Sequence, residues 1–439
     1  MKFSNLPLSL TDMSAPVIGI ASRTQTPKGL RLHIGLFGRR NAGKSSLINA
    51  LTNQKIAIVS DVPGTTTDPV EKACELAPIG PVVFIDTAGV DDVGELGGLR
   101  TERSLAVLGW VDVALIVCDA KALTESELEL IRTVKSTATP SVVVLNKADT
   151  ADAKELIATQ EQVRSLGCEP VTVCASQKLN IDAVREAIVK LAQNAVEPDL
   201  PLLGDLVHPG DTVMLVTPID TGAPKGRMIL PQVQAIREVL DADAKCIVVR
   251  ENRLAETLTN EKEPPAFVVT DSQVVQSVVA QTPKTIPVTT FSIQMAYSKC
   301  DLVEMARGAA MIDFLRPGDK VMICETCSHH PQPDDIGRKK LPRWLAKKVG
   351  GELDIEVVVG KDFPVDLTPY KLILQCGGCV VTRRHMLTRL AQAKRQNIPM
   401  TNYGVAISHL QGVLERALEL HPKALKAFHE AREIFANHF

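Results

Sequence analysis

Six soft donors gather near the far end of the chain: Cys324-Glu-Thr-Cys327-Ser-His329-His330, answered after 45 intervening residues by Cys376-Gly-Gly-Cys379. Thiolates at such spacings hold zinc or iron–sulfur clusters, and an imidazole replaces a thiolate where an exchangeable position is wanted. A second constellation lies near the other end. Leu32–Phe37 is a buried-strand run, Gly38-Arg-Arg-Asn41-Ala42-Gly43-Lys44-Ser45-Ser46 follows, and Leu47–Leu51 opens an amphipathic helix. Strand, Gly-x4-Gly-Lys-Ser and helix together make a phosphate loop, in which Gly38 and Gly43 let backbone N–H groups wrap phosphates at a helix N-terminus. Lys44 is suited to the β- and γ-phosphates, and the Ser45 hydroxyl to Mg²⁺.

Three more segments narrow the ligand. Val83-Phe-Ile-Asp86-Thr-Ala-Gly89 is a strand ending in Asp-x-x-Gly; Asp86 can reach Mg²⁺ through water, and the Gly89 amide can sense a γ-phosphate. Val142–Asp149 is a strand ending in Asn146-Lys147-Ala-Asp149. A carboxylate there accepts two hydrogen bonds from the N1–H and 2-amino group of guanine, a donor pair that adenine lacks, so the expected ligands are GTP and GDP. Asp61-Val-Pro-Gly64-Thr65-Thr66-Thr67-Asp68 is a switch candidate, with Thr66 closing over Mg²⁺ when GTP is bound.

These motifs resemble the translation-factor-related GTPases of the tRNA-modification and ribosome-assembly branch. The resemblance implies that Val171–Ser176 is the fifth nucleotide element, with Cys174 where serine is usual and the Ala175 amide facing guanine O6. It also implies K⁺ beside the phosphates, on Asn41. The glutamine that other GTPases use to position water is replaced by Val90, and Glu95 is the substitute the resemblance offers. Catalysis would then rest on Lys44, Thr66, Gly89 and Glu95, as slow GTP hydrolysis that rises with K⁺.

The elements that position these residues divide the chain. A length of 439 residues implies two to four domains with separate cores. Residues 1–29 show no sustained periodicity and are expected to be a loosely ordered lead-in. Residues 30–200 form a P-loop GTPase domain, 201–300 a small α/β domain assigned to dimerisation, and 301–439 an α/β cluster-binding domain. The fold class is therefore α/β in three domains, the last two being small parallel sheets. In the second, Thr212–Val216, Cys246–Val249, Phe267–Thr270 and Ile286–Thr290 are predicted strands, alternating with helices at Leu230–Leu240, Leu254–Thr259 and Gln273–Ala280. Its loop Asp220–Arg227 lacks Gly-Lys-Ser/Thr and is predicted to connect rather than to bind phosphate.

In the third domain, strands at Val321–Ile323, Leu372–Gln375 and Pro399–Thr401 run into Cys324–His330, Cys376–Cys379 and Asn402–Gly404, with Asp354–Val359 beside them. The carboxyl ends of parallel strands share one rim, where ligands bind in open α/β sheets, so both cysteine clusters are expected there. A structural zinc ribbon and an iron–sulfur cluster both stay open as occupants. Ligands at strand ends, in a domain with its own apolar core, favour the iron–sulfur cluster.

With 49 Lys+Arg against 51 Asp+Glu, no basic field invites nucleic acid. No apolar run approaches the roughly 18 residues of a membrane helix, and Ala15–Ala21 lacks signal-peptide flanks. Ten cysteines with no such signal point to a reducing compartment, the cytoplasm. Cys74, Cys118, Cys168, Cys174, Cys246 and Cys300 are scattered and read as buried small hydrophobes.

Cys327-Ser-His329, followed after 46 residues by Cys376-Gly-Gly-Cys379, resembles the signature of the [FeFe]-hydrogenase maturation GTPases. His330-Pro, Asp334-Asp-Ile-Gly337-Arg and Pro342-Arg-Trp344 are similar as well, and the likeness runs from about residue 30 onward. It implies a [4Fe–4S] cluster on Cys327, Cys376 and Cys379, with His329 as a labile fourth ligand. It further implies a homodimer that carries a di-iron precursor cluster to apo-[FeFe]-hydrogenase and meets radical-SAM maturation enzymes. Cys324 and His330 fall outside the minimal signature, as a spare thiol and a packing or hydrogen-bonding group. The competing reading is a zinc-containing GTPase of ribosome assembly or tRNA modification.

Overall fold

The computed structural model describes residues 26–53, 69–89, 105–137, 139–195, 200–219, 228–326 and 335–438. Thr65, Thr66, Val90 and Glu95, the loop 220–227, and Cys327, His329 and His330 lie outside them.

Three sheets carry the chain. The first has the order β2-β3-β1-β4-β5-β6, with β1 Leu32–Phe37, β2 Val70–Leu76, β3 Gly80–Asp86, β4 Val113–Asp119, β5 Ser141–Asn146 and β6 Pro170–Thr172. Only β2 is antiparallel. Central β1 is buried on both faces, as parallel strands under helices must be. Ile34 and Leu36 pack toward the helices Lys44–Thr52 and Ile181–Ala195. Phe37 packs on the other face, toward Glu125–Ser136. Thr124 and Asp152 each close a capping box with the glutamate three residues on, worth about 1 kcal/mol per cap, and so start helices at the sheet's carboxyl edge. The strand order also reverses at β1, which makes this edge the topological switch point.

The second sheet, order β10-β9-β7-β8, is all parallel: β7 Thr212–Val216, β8 Lys245–Val249, β9 Phe267–Thr270 and β10 Val288–Thr290. The third, order β12-β11-β13-β14, is also all parallel: β11 Lys320–Glu325, β12 Asp354–Val359, β13 Leu372–Gln375 and β14 Met400–Asn402. The expected α/β class with two further parallel sheets is thus the observed one. The helix Phe291–Lys299 belongs to two cores at once, with Phe291 and Met295 in the middle one and Ile293 and Ala296 in that of the third sheet. Among the described residues no helix is long and apolar enough to cross a membrane.

One expectation is corrected in part. The end of the predicted loose lead-in is packed: Lys28–Leu30 is a short 3-10 turn, and Gly29 is buried. A Cβ on Gly29 would lie 2.6 Å from the Cys379 carbonyl oxygen and 2.9 Å from that of Val381. The buried Lys299 ammonium donates to the Gly29 carbonyl at 2.6 Å.

The GTPase sheet and the third domain also meet on a polar, aromatic face. The Trp110 ring stacks on His385 at 6.4 Å and meets His33 of β1 edge-on. The Lys361 ammonium lies 3.3 Å from the Trp110 ring centroid and pairs with Glu71 of β2. Burial alone would raise Glu71, but hydrogen bonds from Lys28 and Lys361 outweigh it and hold the carboxyl at about 2. Burial, followed by the nearby Lys361 charge, lowers His33 to about 4, so the imidazole sits in this face uncharged.

Candidate nucleotide site and metal centre

The phosphate loop joins β1 to the helix Lys44–Thr52. Gly38 and Gly43 both have positive φ, at 145° and 94°. A Cβ on Gly43 would come 2.1 Å from Asn146 Nδ2, so the loop closes only around a residue without one. Asn146 explains the crowding: its Nδ2 donates to the Ala42 carbonyl at 2.9 Å, while its Oδ1 accepts from the Ala175 N–H at 3.0 Å. One buried side chain therefore fastens the phosphate loop to the segment proposed to face guanine. The loop tip, Asn41, is exposed with φ 60°. Ser46 faces solvent on the first turn of the helix.

Lys44 is buried, and its ammonium donates to the carbonyls of Gly38 at 2.9 Å and Arg39 at 3.0 Å. Ser45 Oγ donates to Asp86 Oδ2 at 2.8 Å, bringing together the two side chains expected around Mg²⁺. Thr87 holds the end of β3 by donating from its hydroxyl to the Leu36 carbonyl at 2.6 Å, just before Gly89. At the base end, Asp149 is exposed at the rim; its Oδ1 accepts from Cys174 Sγ at 3.0 Å and its Oδ2 from Gln177 Nε2 at 3.3 Å. Lys147, at φ 61°, pairs with Asp119 at 3.2 Å beside the phosphate loop. All the predicted loop, Asp-x-x-Gly and Asn-Lys-x-Asp residues thus converge on one edge of the sheet.

The second site forms where β11 and β13 run side by side, with Cys324 in register with Gln375. The Cys376 N–H donates to the Cys324 carbonyl at 2.9 Å. Beyond the strand end, the Thr326 N–H donates to Cys376 Sγ at 3.2 Å, with the Thr326 hydroxyl 3.1 Å from the same sulfur. The residue before Cys327 is therefore in direct contact with Cys376, the first residue of the second cysteine pair. Cys376 is half-buried. Burial, then the neighbouring Cys376, pushes the Cys379 thiol up to about 11, so metal binding there must displace a proton.

Cys324 points away from this rim. It is fully buried in the apolar core of the third domain, and burial pushes its thiol up to about 12. Among the described residues, no group of three or more His, Cys, Asp or Glu side chains is arranged to hold a metal ion.

A thiolate-ligated cluster also fits the charge of its surroundings. Arg389 is 3% exposed and joins no ion pair among the described residues. Its guanidinium donates to Gln375 Oε1 at 3.0 Å and to the carbonyls of Gly360 and Asp362 at 3.0 and 3.2 Å, and its Nε has no hydrogen-bond partner. A buried cation without a paired anion is costly; the Asp362 carboxylate acts on it without forming an ion pair, and thiolates would supply further negative charge. Sequence motifs alone missed Thr326, Gln375 and Arg389. A signal for Arg389 was present, because Met386, Arg389, Leu390 and Ala393 share the 3- and 4-residue spacing of a buried helix face.

Known proteins resemble separate parts of the chain. Residues 33–147 match a 50S ribosome-binding GTPase domain, residues 202–300 a hydrogen maturase F dimerization domain, and residues 303–420 a hydrogen maturase F tetramerization domain. The tRNA modification GTPase MnmE of Trichormus variabilis is 38% identical over 167 residues, 37% of this chain and 34% of the relative. The GTPase Der of Bartonella henselae is 36% identical over 165 residues, again 37% and 34%. The chain thus spans about a third of the length of these curated relatives, and they inform only its GTPase domain. A GTPase domain followed by hydrogen maturase F dimerization and tetramerization domains places the chain in the hydrogen maturase F family, HydF.

Proposed function

We propose that the chain is a GTP-gated scaffold and carrier in hydrogenase maturation. Cys327, Cys376 and Cys379 hold a [4Fe–4S] cluster, with His329 as the exchangeable fourth ligand, and the cargo is a di-iron precursor destined for apo-[FeFe]-hydrogenase. The observation that carries this reading is the meeting of Thr326 with the Cys376 thiol at the rim of β11 and β13. When bound, the cluster supplies an iron with an open coordination position to which the cargo attaches. The chain's own part is to hold it: Thr326 hydrogen-bonds the Cys376 sulfur, and the half-buried placement of Cys379 limits water. Radical-SAM maturation enzymes supply the cargo, two copies pair through residues 202–300, and the setting is the cytoplasm, where thiols stay reduced.

GTP sits across the first sheet's edge, with Mg²⁺ on Ser45, Thr66 and Asp86 and K⁺ on Asn41. Lys44, the Gly89 amide, Thr66 and Glu95 bring about hydrolysis. The phosphates lie on the loop from Gly38 to Ser46, with Thr65 over them, and guanine lies on Asn146, Lys147, Asp149, Cys174 and Ala175. Nucleotide state reaches the cluster domain through Glu71 and Trp110. Glu71 follows the Thr66 loop, Trp110 follows the segment after Gly89, and both hold Lys361 of the third domain.

Two measurements test the reading. Anaerobically reconstituted protein is expected to be brown and to give an iron–sulfur EPR signal on reduction, lost in Cys376→Ala. A colourless protein with stoichiometric zinc would instead support the ribosome-assembly or tRNA-modification alternative. Partner maturases are expected to bind nucleotide-free, GDP-bound and GTP-bound forms with different affinities. Equal affinities together with equal cargo-transfer rates would leave GTP without a gating role.

A further inference from the structure

We propose that Arg389 is the charge partner of the cluster site and that its guanidinium sets the reduction potential of whatever thiolate-bound iron the site holds. The inference rests on the carrier reading above and adds a residue outside the cysteine signature.

The argument begins with placement. The helix Arg383–Arg395 lies under the third sheet and turns Met386 and Leu390 into its core. Arg389 is on that same stripe, where an aliphatic side chain is expected. Its guanidinium ends beneath the carboxyl ends of β11 and β13, held by Gln375 and by the Gly360–Asp362 turn. The hydrogen bonds to Gly360 and Asp362 go to neutral carbonyl oxygens, and the one to Gln375 goes to a neutral amide. Gln375 passes the contact onward, with its Nε2 3.4 Å from the Cys376 carbonyl oxygen and 3.5 Å from Cys376 Sγ. The cation is thus fixed by neutral acceptors, with its guanidinium carbon 5.0 Å from the Phe363 ring centroid and the Asp362 carboxylate near it but not in an ion pair among the described residues.

A fixed cation beside a redox centre acts in one direction. Reduction adds one electron and makes the centre more negative. A neighbouring positive charge stabilises that form more than the oxidised one, and so raises the potential; net charge and hydrogen bonds to sulfur are the usual levers. Low local dielectric strengthens the effect, and the site is low in dielectric: Arg389 is 3% exposed, while Gln375 and Cys324 are fully buried.

The experiment is an EPR-monitored redox titration of the reconstituted protein, wild type against Arg389→Met, Arg389→Gln and Arg389→Lys. Arg389→Met and Arg389→Gln both remove the charge, the second while keeping a polar group beside Gln375. Both are expected to make reduction at least tenfold less favourable, a shift of 59 mV toward negative potential for one electron. Arg389→Lys keeps the charge and is expected to stay near the wild-type value. A purely structural role would lower iron content in all three variants without ordering their potentials by charge. If Arg389→Met fails to load, Arg389→Gln reads the same quantity. Potentials in the loaded charge-removing variants that match the wild type would overturn the inference. A wild-type protein that takes up no iron–sulfur cluster would overturn the carrier reading instead.

Discussion

Replacing Lys44 with alanine is expected to lower the rate of GTP hydrolysis at saturating nucleotide by about 10²- to 10³-fold, the loss typical of one preorganised electrostatic contact at a reacting centre. The ammonium now satisfies the carbonyls of Gly38 and Arg39 inside the loop. A β,γ-phosphate arriving between loop and helix offers it stronger, charged acceptors, and phosphoryl transfer spreads further charge over the same oxygens. Alanine leaves that charge to the backbone amides and the bound cations. The helix Lys44–Thr52 should survive the change, because Leu47, Ile48 and Leu51 anchor it in the core. Phosphate release measured in KCl and in NaCl decides two points together. A variant within tenfold of wild type would remove Lys44 from the chemistry, and equal wild-type rates in the two salts would remove K⁺ from Asn41.

What could be read from the sequence depended on how local its cause was. Strands buried on both faces leave continuous apolar runs, so Thr212–Val216, Phe267–Thr270 and Leu372–Gln375 have the bounds their residues suggest, as does the half-buried edge strand Asp354–Val359. Met400–Asn402 begins one residue later than its predicted strand. The phosphate loop was equally legible, because glycine, lysine and serine at that spacing answer to one ligand.

Long-range causes left no such trace. The order at Gly29 comes from carbonyls of Cys379 and Val381 and from Lys299, residues remote in sequence that no pattern around Gly29 announces. Cys324 stands outside the cluster signature as a spare thiol, but nothing around it in the sequence shows that the pleat of β11 turns it, with Met322, into the core. The link from Glu71 through Lys361 to the turn that Arg389 grips spans two domains and became visible only once both were folded. Such a link is the route that the proposed gating would use, since the same short turn is held by the GTPase sheet on one side and by Arg389 on the other.

The base-reading carboxylate offers the sharpest test of ligand identity. In Asp149→Asn, the preference for guanine nucleotides is expected to fall by about 10⁴-fold or more and to pass to xanthosine triphosphate. Asp149 presents two acceptor oxygens at the rim, steadied by Cys174 Sγ on one and Gln177 Nε2 on the other. Guanine matches them with two donors, N1–H and the 2-amino group. Asparagine keeps one acceptor and turns the other position into a donor, so the guanine 2-amino group meets an N–H₂ and both lose their partners. Xanthine carries an oxygen at that position and restores both hydrogen bonds. The fold should tolerate the swap, because Asn146, which ties the phosphate loop to Ala175, is untouched. Competition between GTP and xanthosine triphosphate for a fluorescent nucleotide reads the result directly. A variant that still binds GTP within tenfold of wild type and ignores the xanthine nucleotide would show that another residue reads the base.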